Sequence, residues 1–420
     1  MSKRKMKKPW SILIALALAV FVGAIIDKET RIWGISPYHV FDVVGTLFIN
    51  ALTLVVVPLV SSSIIIGVAR IASESQFGRL GLRTFFYFFL TNFVGILIGF
   101  SIVSLFSPGS GISISNVLAS DSIQTANTGL FSDLILEIIP SNILAAFAKG
   151  NMLGLIFFSL LFGYAITQIQ KKYLQTHMQM WKGVFEAMIR ITHAIMVLLP
   201  VGVFCLAAKI FAEAGLETLK PLGNFVWVTL LGFALFAFGF IPLLLSAVGK
   251  VSIRNYFKAI SPAIVTAFST GSSSATLPIS LECMEVRAGV SNRICSLVIP
   301  LGTSLNLAGT ALYNTMAVLF ISQVNGIDLT PLNQITLVIA ALLVSFGVAS
   351  VPGGGLVAAL TLLRILGLPA EGIGLVLATD RILDMFRSTV NVCSYTTCSV
   401  LVAKSDGEET VLANKEALLR

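Results

Sequence analysis

The stretch LATDRILDMFRSTVNVCSYTTCSVLVAK, residues 377–404, is long enough to cross a bilayer as one helix. At about 100° per residue, its polar positions 380, 384, 387 and 391 fall within roughly 60° of one another. A charge at the centre of a membrane helix costs about 2.5–3.5 kcal/mol on insertion scales. The stripe therefore predicts a functional site inside the membrane, and the alternative is a structural ion pair that locks this helix to a neighbour. The polar residues that carry this prediction are Asp380, Asp384, Arg387, Ser388 and Asn391.

The composition of the chain predicts a polytopic membrane protein. Of its 420 residues, 56% are hydrophobic and 11% are charged, with a mean hydropathy of +0.92, whereas a soluble domain carries about 25% charged residues. The net charge of +8 is spread over many short loops, which indicates topology signals and no nucleic-acid partner. The five cysteines lie in or beside apolar segments without metal-ligand spacing, and we interpret them as packing residues.

Six apolar runs precede residue 250. The first, from Trp10 to Ile26, follows a basic start and is interpreted as a membrane helix, with a cleaved signal peptide as the alternative. Loops rich in lysine and arginine alternate with loops that have few, which predicts a multi-pass cell-membrane protein with a cytoplasmic N-terminus. One basic loop contains Lys171, Lys172 and Lys182. The other five runs cover about 40–69, 84–106, 134–169 (with break points at Pro140 and Gly150), 184–212 and 221–248.

Two later segments are apolar at both ends but broken in the middle. In residues 261–281 a Ser/Thr/Gly stretch at 269–274 interrupts the pattern, and in residues 335–366 the interruption is Ser-Val-Pro-Gly-Gly-Gly at 350–355. Each arm of the first segment has only about ten residues, whereas a membrane core takes about 20. Non-helical backbone at membrane depth must be surrounded by protein or line a cavity. The pair predicts two interrupted segments around a transporter's substrate site, and the alternative is spanning helices with kinks.

A third polar interruption lies between these two segments. The apolar run 297–321 contains Gly302, Asn306, Gly309 and Thr310 near its middle. An unwound stretch there would free backbone carbonyls for a cation and turn helix N-termini towards an anionic group. Small residues equally allow close helix packing, so the residues alone leave both interpretations open.

Four sequence blocks together resemble the glutamate/aspartate transporter family, the dicarboxylate/amino acid:cation symporters. The blocks are SSSATLP at 272–278, NLAGT at 306–310, VPGGG at 351–355 and DMFRSTVN at 384–391. They occur in the family's order across residues 255–404. The six upstream runs also fit, so the resemblance extends over the whole chain.

The resemblance implies an all-α polytopic fold with eight transmembrane helices plus two re-entrant helical hairpins, an inverted-repeat elevator transporter assembled as a homotrimer in the lipid bilayer. The hairpins would lie at about 255–289 and 331–366, and the seventh and eighth helices at about 291–322 and 370–404. The implied units are 1–83, the first two helices of a scaffold; 84–133, the third helix (transport domain) and an outer loop; 134–249, the fourth to sixth helices, mostly scaffold; 250–404, the transport core; and 405–420, a solvated cytoplasmic tail without a detectable role.

The polar residues of the blocks suit an acidic amino acid, aspartate or glutamate, as substrate. Asp384 can pair with an α-ammonium group, and Arg387 offers a planar fork to a carboxylate. A buried partner left unpaired costs about 1–3 kcal/mol, so a ligand without the amino group is disfavoured. In the family, C4-dicarboxylate carriers tend to lack this aspartate and neutral amino acid carriers tend to lack this arginine. The predicted substrate-binding residues are Ser272, Ser273, Ser274, Thr310, Val351, Gly355, Asp384, Arg387, Ser388 and Asn391.

The cation sites depart from the family's pattern. Sodium-coupled members carry one aspartate where this chain has Ala308 and another where it has Tyr395. Sodium prefers hard oxygen ligands, and a residual sodium site would use Ser304, Asn306 and Asn391 with carbonyls of the second hairpin. We expect no cofactor and a co-transported cation, either a proton or fewer sodium ions than in classical members, with exchange as a further mode.

Further residues are candidates for handling a cation. Tyr87, Thr91 and Asn92 keep only part of the family's third-helix cation motif. A transported proton needs a titrating side chain, and the sequence does not choose among the candidates. For Glu186, the simpler interpretation is a local ion pair with Arg190, four residues further along a helix. The candidates are His193, Glu186, Glu282 and Glu285.

Three other functions share some of these features. A channel would use the polar stripe as a pore lining. A membrane enzyme would use a serine of 272–274 as nucleophile, but no G-x-S-x-G, P-loop or H-E-x-x-H motif occurs in the chain, and we expect no enzyme. A C4-dicarboxylate carrier of the same family is the main alternative. Replacement of Asp384 by Ala would abolish amino acid binding in our interpretation and leave succinate binding intact in that alternative.

Overall fold

The computed structural model describes residues 8–26, 30–31, 36–73, 78–110, 139–149, 152–214, 219–347, 354–408 and 412. The regular structure of these residues is helical, with no strand among them. The helices are α1 Lys8–Ile25, α2 Pro37–Ser73, α3 Gly78–Phe106, α4 Ile143–Lys149, α5 Met152–Ala165, α6 Lys171–Val197, α7 Leu199–Ala214, α8 Leu219–Ala234 with its continuation to Gly249, α9 Ile253–Thr270, α10 Leu277–Glu282, α11 Asn292–Leu305, α12 Ala308–Val324, α13 Pro331–Gly347, α14 Gly354–Ile365 and α15 Ile373–Ser405.

Three helical stretches among the described residues are long and apolar enough to cross a membrane. They are Arg79–Phe106, Lys220–Gly249 and Asn292–Val324. At about 1.5 Å per residue each exceeds the roughly 30 Å of a bilayer core. Shorter apolar helices, including Pro331–Phe346 and Gly355–Ile365, accompany them. The apolar helices agree with the predicted membrane protein, and the predicted number of eight spanning helices stays a prediction.

Two helices occupy the region of the predicted fifth run. α6 ends at Val197 and α7 begins at Leu199, so the prediction of one helix over 184–212 is wrong. Pro200 lies in the first turn of α7, where a missing N–H is tolerated. The proline therefore favours a new helix start at this point.

The prediction of a basic loop before that run is also wrong, because the segment is helical. Lys171, Lys172 and Lys182 lie in α6, and all three are exposed. An amphipathic helix keeps a polar face, so a search for continuous apolar runs does not detect its first half.

The first broken segment forms a helical hairpin. α9 ends at Thr270, and Gly271 follows with a left-handed φ of 61° and an N–H that donates to Ala267 O. α10 begins at Leu277, with Pro278 in its first turn, and packs back against α9. The break thus falls where the Ser/Thr/Gly stretch predicts it. The first arm has 18 residues, however, so its predicted length of about ten is wrong, because polar residues before 261 extend the helix.

Residues 331–405 repeat the order of a hairpin followed by a long helix. α13 and α14 pack against each other. Of the predicted interruption at 350–355, residues 350–353 lie outside the described residues, and Gly354 and Gly355 already belong to α14. After the first hairpin, α11 and α12 are separated by Asn306 and Leu307, whose φ and ψ angles are not helical. After the second hairpin, α15 runs unbroken for 33 residues. Of the two interpretations left open for residues 297–321, the structure thus has the interrupted helix.

α15 lies at the centre of the helical packing. It contacts α3, α8, α9, α11, α12 and α14. α12 is buried along nearly its whole length and lies against α3. Cβ atoms built on Gly95 and Gly99 of α3 would lie 2.9 Å from Ala308 O and 2.7 Å from Leu312 O, respectively. Only glycine permits this approach, which is typical of small-residue packing between membrane helices.

The described part of the C-terminal tail contacts the start of α3 and the segment just before α11. Asp406 Oδ1 lies 3.2 Å from Arg83 Nη1, and the Ser291 N–H donates to Glu408 Oε2 at 3.1 Å. The Leu412 N–H donates to Ala288 O at 2.8 Å. The Asp406 and Glu408 carboxylates and the Leu412 N–H thus bind these residues to neighbouring helix ends, a contact that the sequence did not indicate, and the cytoplasmic location of the tail stays a prediction.

Candidate functional site

A charged cluster, defined as Asp380, Asp384, Arg387 and Tyr313, lies between α15 and α12. Arg387 donates through Nη1 to Asp380 Oδ1 at 3.1 Å and through Nε to Asp384 Oδ1 at 3.1 Å. Nη2 also donates to the same oxygen of Asp384. The guanidinium carbon lies 4.7 Å from the centre of the Tyr313 ring, within cation–π distance. Arg387 is buried, with 3% of its surface exposed, so its charge depends on these partners.

The position of the two aspartates argues against the alternative that the polar stripe is an ion pair locking this helix to a neighbour. Both aspartates belong to α15, the same helix as the arginine, so the ion pairs do not tie α15 to a neighbouring helix. A buried ion pair within one helix is weak evidence for stability, since desolvation offsets most of its attraction. An arrangement of this kind keeps charges available for exchange with a ligand.

The second hairpin contacts the arginine through Gly355, in the first turn of α14. A Cβ built on Gly355 would lie 2.6 Å from Arg387 Nη1 and 2.7 Å from its Cζ. Only a residue without a side chain allows the guanidinium to pack on this backbone. Val351, also predicted to bind substrate, lies outside the described residues. The hairpin thus covers the charged cluster from one side.

The first hairpin approaches the aspartate from its tip. A Cβ built on Gly271 would lie 3.6 Å from Asp384 Oδ2. Ser272 serves the turn itself, because its Oγ accepts from Ala275 N at 3.2 Å and its N–H donates to Thr270 Oγ1 at 3.3 Å. Ser273 is buried and Ser274 is exposed. The predicted serines therefore lie at the tip that reaches Asp384.

α12, which follows the break at Asn306 and Leu307, contacts α15 through two hydrogen bonds between Thr310 and Asn391. The Thr310 N–H donates to Asn391 Oδ1 at 3.2 Å, and Asn391 Nδ2 donates to Thr310 Oγ1 at 3.0 Å. Ser388 is buried on the same helix beside Arg387. Of the ten predicted substrate-binding residues, nine are described, and they come from the two hairpins, α12 and α15.

A second polar group, the neutral cluster, is defined as Thr91, Asn306, Ser394 and Cys398. Asn306 Oδ1 accepts from Thr91 Oγ1 at 2.9 Å and from Ser394 Oγ at 3.1 Å. Its Nδ2 donates to Cys398 Sγ at 3.2 Å. All four residues are buried. The cluster joins the break between α11 and α12 to α3 and α15 without a charged side chain.

The two positions that depart from the family's cation pattern are both buried near this cluster. Tyr395 is 0% exposed, and its hydroxyl lies 2.8 Å from Ser280 Oγ in α10. A Cβ on Gly302 would overlap the Tyr395 side chain, which shows how closely the ring fills this space. Ala308 is also fully buried. Ser304, the remaining predicted sodium ligand, is partly buried in α11.

A further buried oxygen lies beside the break of the seventh helix. Asn92 Nδ2 donates to Leu305 O at 3.1 Å, while Asn92 Oδ1 has no hydrogen-bond partner among the described residues. Those residues contain no group of three or more His, Cys, Asp or Glu side chains that could hold a metal ion. The oxygen donors near the break are therefore amides, hydroxyls and carbonyls.

The candidate proton carriers lie on other parts of the chain. Glu186 and Arg190 are exposed on α6, and Glu282 is exposed at the end of α10. Glu285 Oε1 accepts from Asn292 Nδ2 at 2.8 Å. The side chain of His193 lies outside the described residues. None of the described candidates forms an ion pair or a hydrogen bond with the charged cluster, and the choice among them stays open.

Two residues, one in the charged cluster and one beside it, were not predicted from the sequence. Tyr313 covers the arginine from α12, and it follows Thr310 by three residues on the same helix face. Arg381 lies 3.8 Å through Nη1 from Asp384 Oδ2. The sequence contains one indication for each residue: Tyr313 follows Thr310 by three residues, and Arg381 precedes Asp384 by three. This spacing alone is weak, because aromatic residues and flanking arginines are common in membrane helices.

A buried charged cluster on a central helix, enclosed by two broken helical segments, defines a helical membrane protein of the transporter class. The chain belongs to the sodium:dicarboxylate symporter family, whose sequence model it matches over residues 9–405. Members of this family are symporters and not enzymes.

Known relatives resemble the chain over nearly its whole length. It is 33% identical to the proton/glutamate-aspartate symporter of Escherichia coli K12, covering 96% of this chain and 94% of the relative. It is 34% identical to the proton/sodium-glutamate symport protein of Geobacillus stearothermophilus, covering 96% of each. It is 33% identical to the C4-dicarboxylate transport protein of Bacillus subtilis, covering 94% of this chain and 93% of the relative.

Proposed function

We propose that the chain is a secondary active transporter of acidic amino acids, L-aspartate or L-glutamate, in the cell membrane. The observation that carries this proposal is the opposed pair Asp384 and Arg387, buried between two hairpins. An acidic amino acid has an ammonium group for the aspartate and a second carboxylate for the arginine. The glutamate-aspartate symporter of Escherichia coli, 33% identical, supports this substrate class.

Substrate binding proceeds by an exchange of partners on α15. Without ligand, Arg387 is neutralised by Asp380 and Asp384 of its own helix. The distal carboxylate of the substrate replaces Asp384 on the guanidinium, and the released Asp384 accepts the substrate's ammonium group. Each lost ion pair is replaced by a new one, so the charges stay paired throughout, as burial requires. Asn391, Thr310 and Ser388 add hydrogen bonds to the α-amino and α-carboxylate groups.

The two hairpins act as the walls of this site. Gly355 lies on the arginine and Gly271 lies beside the aspartate, so movement of either tip opens one side of the charged cluster. The transport core of 250–404, with the third helix, then moves as an elevator against a scaffold of the other upstream helices. Eight spanning helices, an inverted repeat and a homotrimer complete this proposal, with the N-terminus and the tail at 405–420 in the cytoplasm.

Cation coupling is altered in this chain. The neutral cluster and its surroundings offer neutral oxygens, a sulfur and Asn92 Oδ1, which has no hydrogen-bond partner in the described part of the chain, but no carboxylate at positions 308 and 395. A sodium ion bound there would lack an anionic ligand, so its affinity would be low. A proton, or fewer sodium ions than in classical members, therefore drives uptake, and exchange is a further mode.

A C4-dicarboxylate carrier is the second candidate function. The Bacillus subtilis C4-dicarboxylate transport protein is as similar to this chain as the Escherichia coli symporter, at 33% identity each. A diacid without an amino group would leave the Asp384 carboxylate without the ligand's ammonium group after Arg387 turns to the ligand, with only Arg381 Nη1 near it, 3.8 Å from Oδ2. That cost, about 1–3 kcal/mol, favours the amino acid.

The test is a binding titration on purified full-length protein with L-aspartate, L-glutamate and succinate, each with and without sodium. We expect an acidic amino acid to bind at least tenfold more tightly than succinate. Counterflow in sodium-free proteoliposomes at several pH values then reports the driving ion. Preference for succinate contradicts the substrate proposal, and strict sodium dependence with more than one ion per substrate contradicts the coupling proposal.

A further inference from the structure

Arg381 lies next to the charged cluster, on the side of the first hairpin. Its Nη1 is 3.8 Å from Asp384 Oδ2, and 21% of its side chain is exposed. A Cβ built on Gly271 would lie 3.5 Å from the same Nη1 and 3.6 Å from Asp384 Oδ2. The hairpin tip, Arg381 and one oxygen of Asp384 therefore meet at one point.

The two arginines divide the Asp384 carboxylate between them. Arg387 donates to Oδ1, while Arg381 faces Oδ2. The local charges balance without ligand: two negative charges, on Asp380 and Asp384, face two positive charges, on Arg381 and Arg387. Removal of Arg381 would leave a buried excess of negative charge next to the hairpin tip, which is costly in a low-dielectric site.

We propose that Arg381 is a positioning residue that selects substrates with an amino group. It holds Asp384 by Oδ2 at the tip of the first hairpin, so the carboxylate stays aimed at the substrate's ammonium group once Arg387 has turned to the substrate's carboxylate. This inference rests on the proposed function, because it requires Arg387 to leave Asp384 when the ligand binds. Arg381 acts through Asp384 and does not itself contact the substrate.

The experiment compares four purified full-length proteins: wild type, Arg381→Gln, Arg381→Lys and Arg254→Gln. Arg254 is exposed in the first turn of α9, so its substitution removes the same charge from the same transport core. We expect Arg381→Gln to weaken L-aspartate binding by about tenfold or more, and Arg381→Lys, which keeps the charge, to stay within about threefold of wild type. Arg254→Gln should change the affinity less than twofold.

A second measurement separates positioning of Asp384 from general attraction of anions. Succinate carries two negative charges and no ammonium group, so we expect the ratio of the affinities for aspartate and succinate to fall by at least about fivefold in Arg381→Gln. Loss of general attraction would weaken succinate, the more highly charged ligand, at least as much as aspartate. An equal or larger effect on succinate, or aspartate affinity within twofold of wild type, overturns the inference. If wild type itself fails to bind aspartate, the proposed function fails instead.

Discussion

Two polar clusters on α15 differ in how their groups are paired. In the charged cluster, Arg387 and two aspartates hold one another within a single helix. In the neutral cluster, which begins at Ser394, about 10 Å beyond Arg387 along the helix, Asn306 joins α3 and α15 through hydroxyl and thiol partners. Side chains of one helix can change partners without separating helices, whereas the neutral cluster holds three elements together. The difference supports the proposal that the first cluster binds ligand, and the contacts of the second hold the break between α11 and α12 in place.

The largest expected effect is in the charged cluster. Arg387→Ala should abolish measurable L-aspartate binding, a loss of at least about 100-fold, because two aspartates stay buried without their cation. Arg387→Lys keeps the charge but loses the planar fork, and should still weaken binding by about tenfold or more. Isothermal titration of both variants measures these losses.

The control for this prediction is Arg254→Gln, an exposed arginine of the same core. Thermal unfolding in detergent checks that each variant is folded. Aspartate binding by folded Arg387→Ala with an affinity near that of wild type would show that the stripe is structural.

A smaller effect is expected when carboxylates are introduced near the neutral cluster, and here aspartate binding should become stronger in sodium. The double substitution Ala308→Asp and Tyr395→Asp places carboxylates at the two positions where sodium-coupled members of the family carry them. We expect sodium to strengthen aspartate binding by about tenfold in the double variant and by less than twofold in wild type, because an anionic oxygen raises affinity for a hard cation. Titrations of aspartate in sodium and in choline measure the difference.

The matched control is Ala308→Asn with Tyr395→Asn, which adds amide oxygens without charge. A sodium response of wild type as large as that of the double aspartate variant would contradict the comparison of the two clusters.

The sequence could predict the charged cluster because charges in an apolar helix are costly and therefore conspicuous. Asp384 and Arg387 were predicted for this reason. Tyr313 and Arg381 were not, because a tyrosine in a buried helix and an arginine beside an aspartate have many ordinary explanations. Likewise, no pattern shows which oxygen of Asp384 each arginine faces, since that choice depends on packing against the first hairpin.

Some helix bounds could likewise be predicted from the sequence, whereas others could not. Proline, glycine and serine predicted the breaks of the first hairpin, because these residues disfavour helix in any surroundings. The polar first half of α6 was missed, because its helix is amphipathic and not uniformly apolar. Docking of the tail through Asp406 and Glu408 joins positions far apart in the chain, and no local pattern reports such contacts.

A still smaller effect is expected from Tyr395→Phe, which tests whether Tyr395 serves only in packing. The substitution leaves Ser280 Oγ, buried in α10, without its partner at 2.8 Å. The expected cost is about 1–3 kcal/mol in the free energy of unfolding, seen as a lower melting temperature in detergent. Aspartate affinity should stay within twofold of wild type, with and without sodium. A changed sodium response would instead assign the hydroxyl to cation coupling.

The smallest effect is expected outside both clusters, where Asp406 pairs with Arg83 and Arg293. These side chains are partly exposed, Arg293 by 70%, so the pairs are screened by solvent. Asp406→Asn should therefore lower stability by no more than about 1 kcal/mol, and the difference should shrink in 0.5 M salt. Asp328→Asn, an exposed aspartate in the loop after α12, is the matched control. A loss much larger than this, or one that persists at high salt, would mean that the tail stabilises the protein through the Glu408 carboxylate at the Ser291 N–H and the Leu412 N–H at Ala288 O, and that Asp406 positions these contacts.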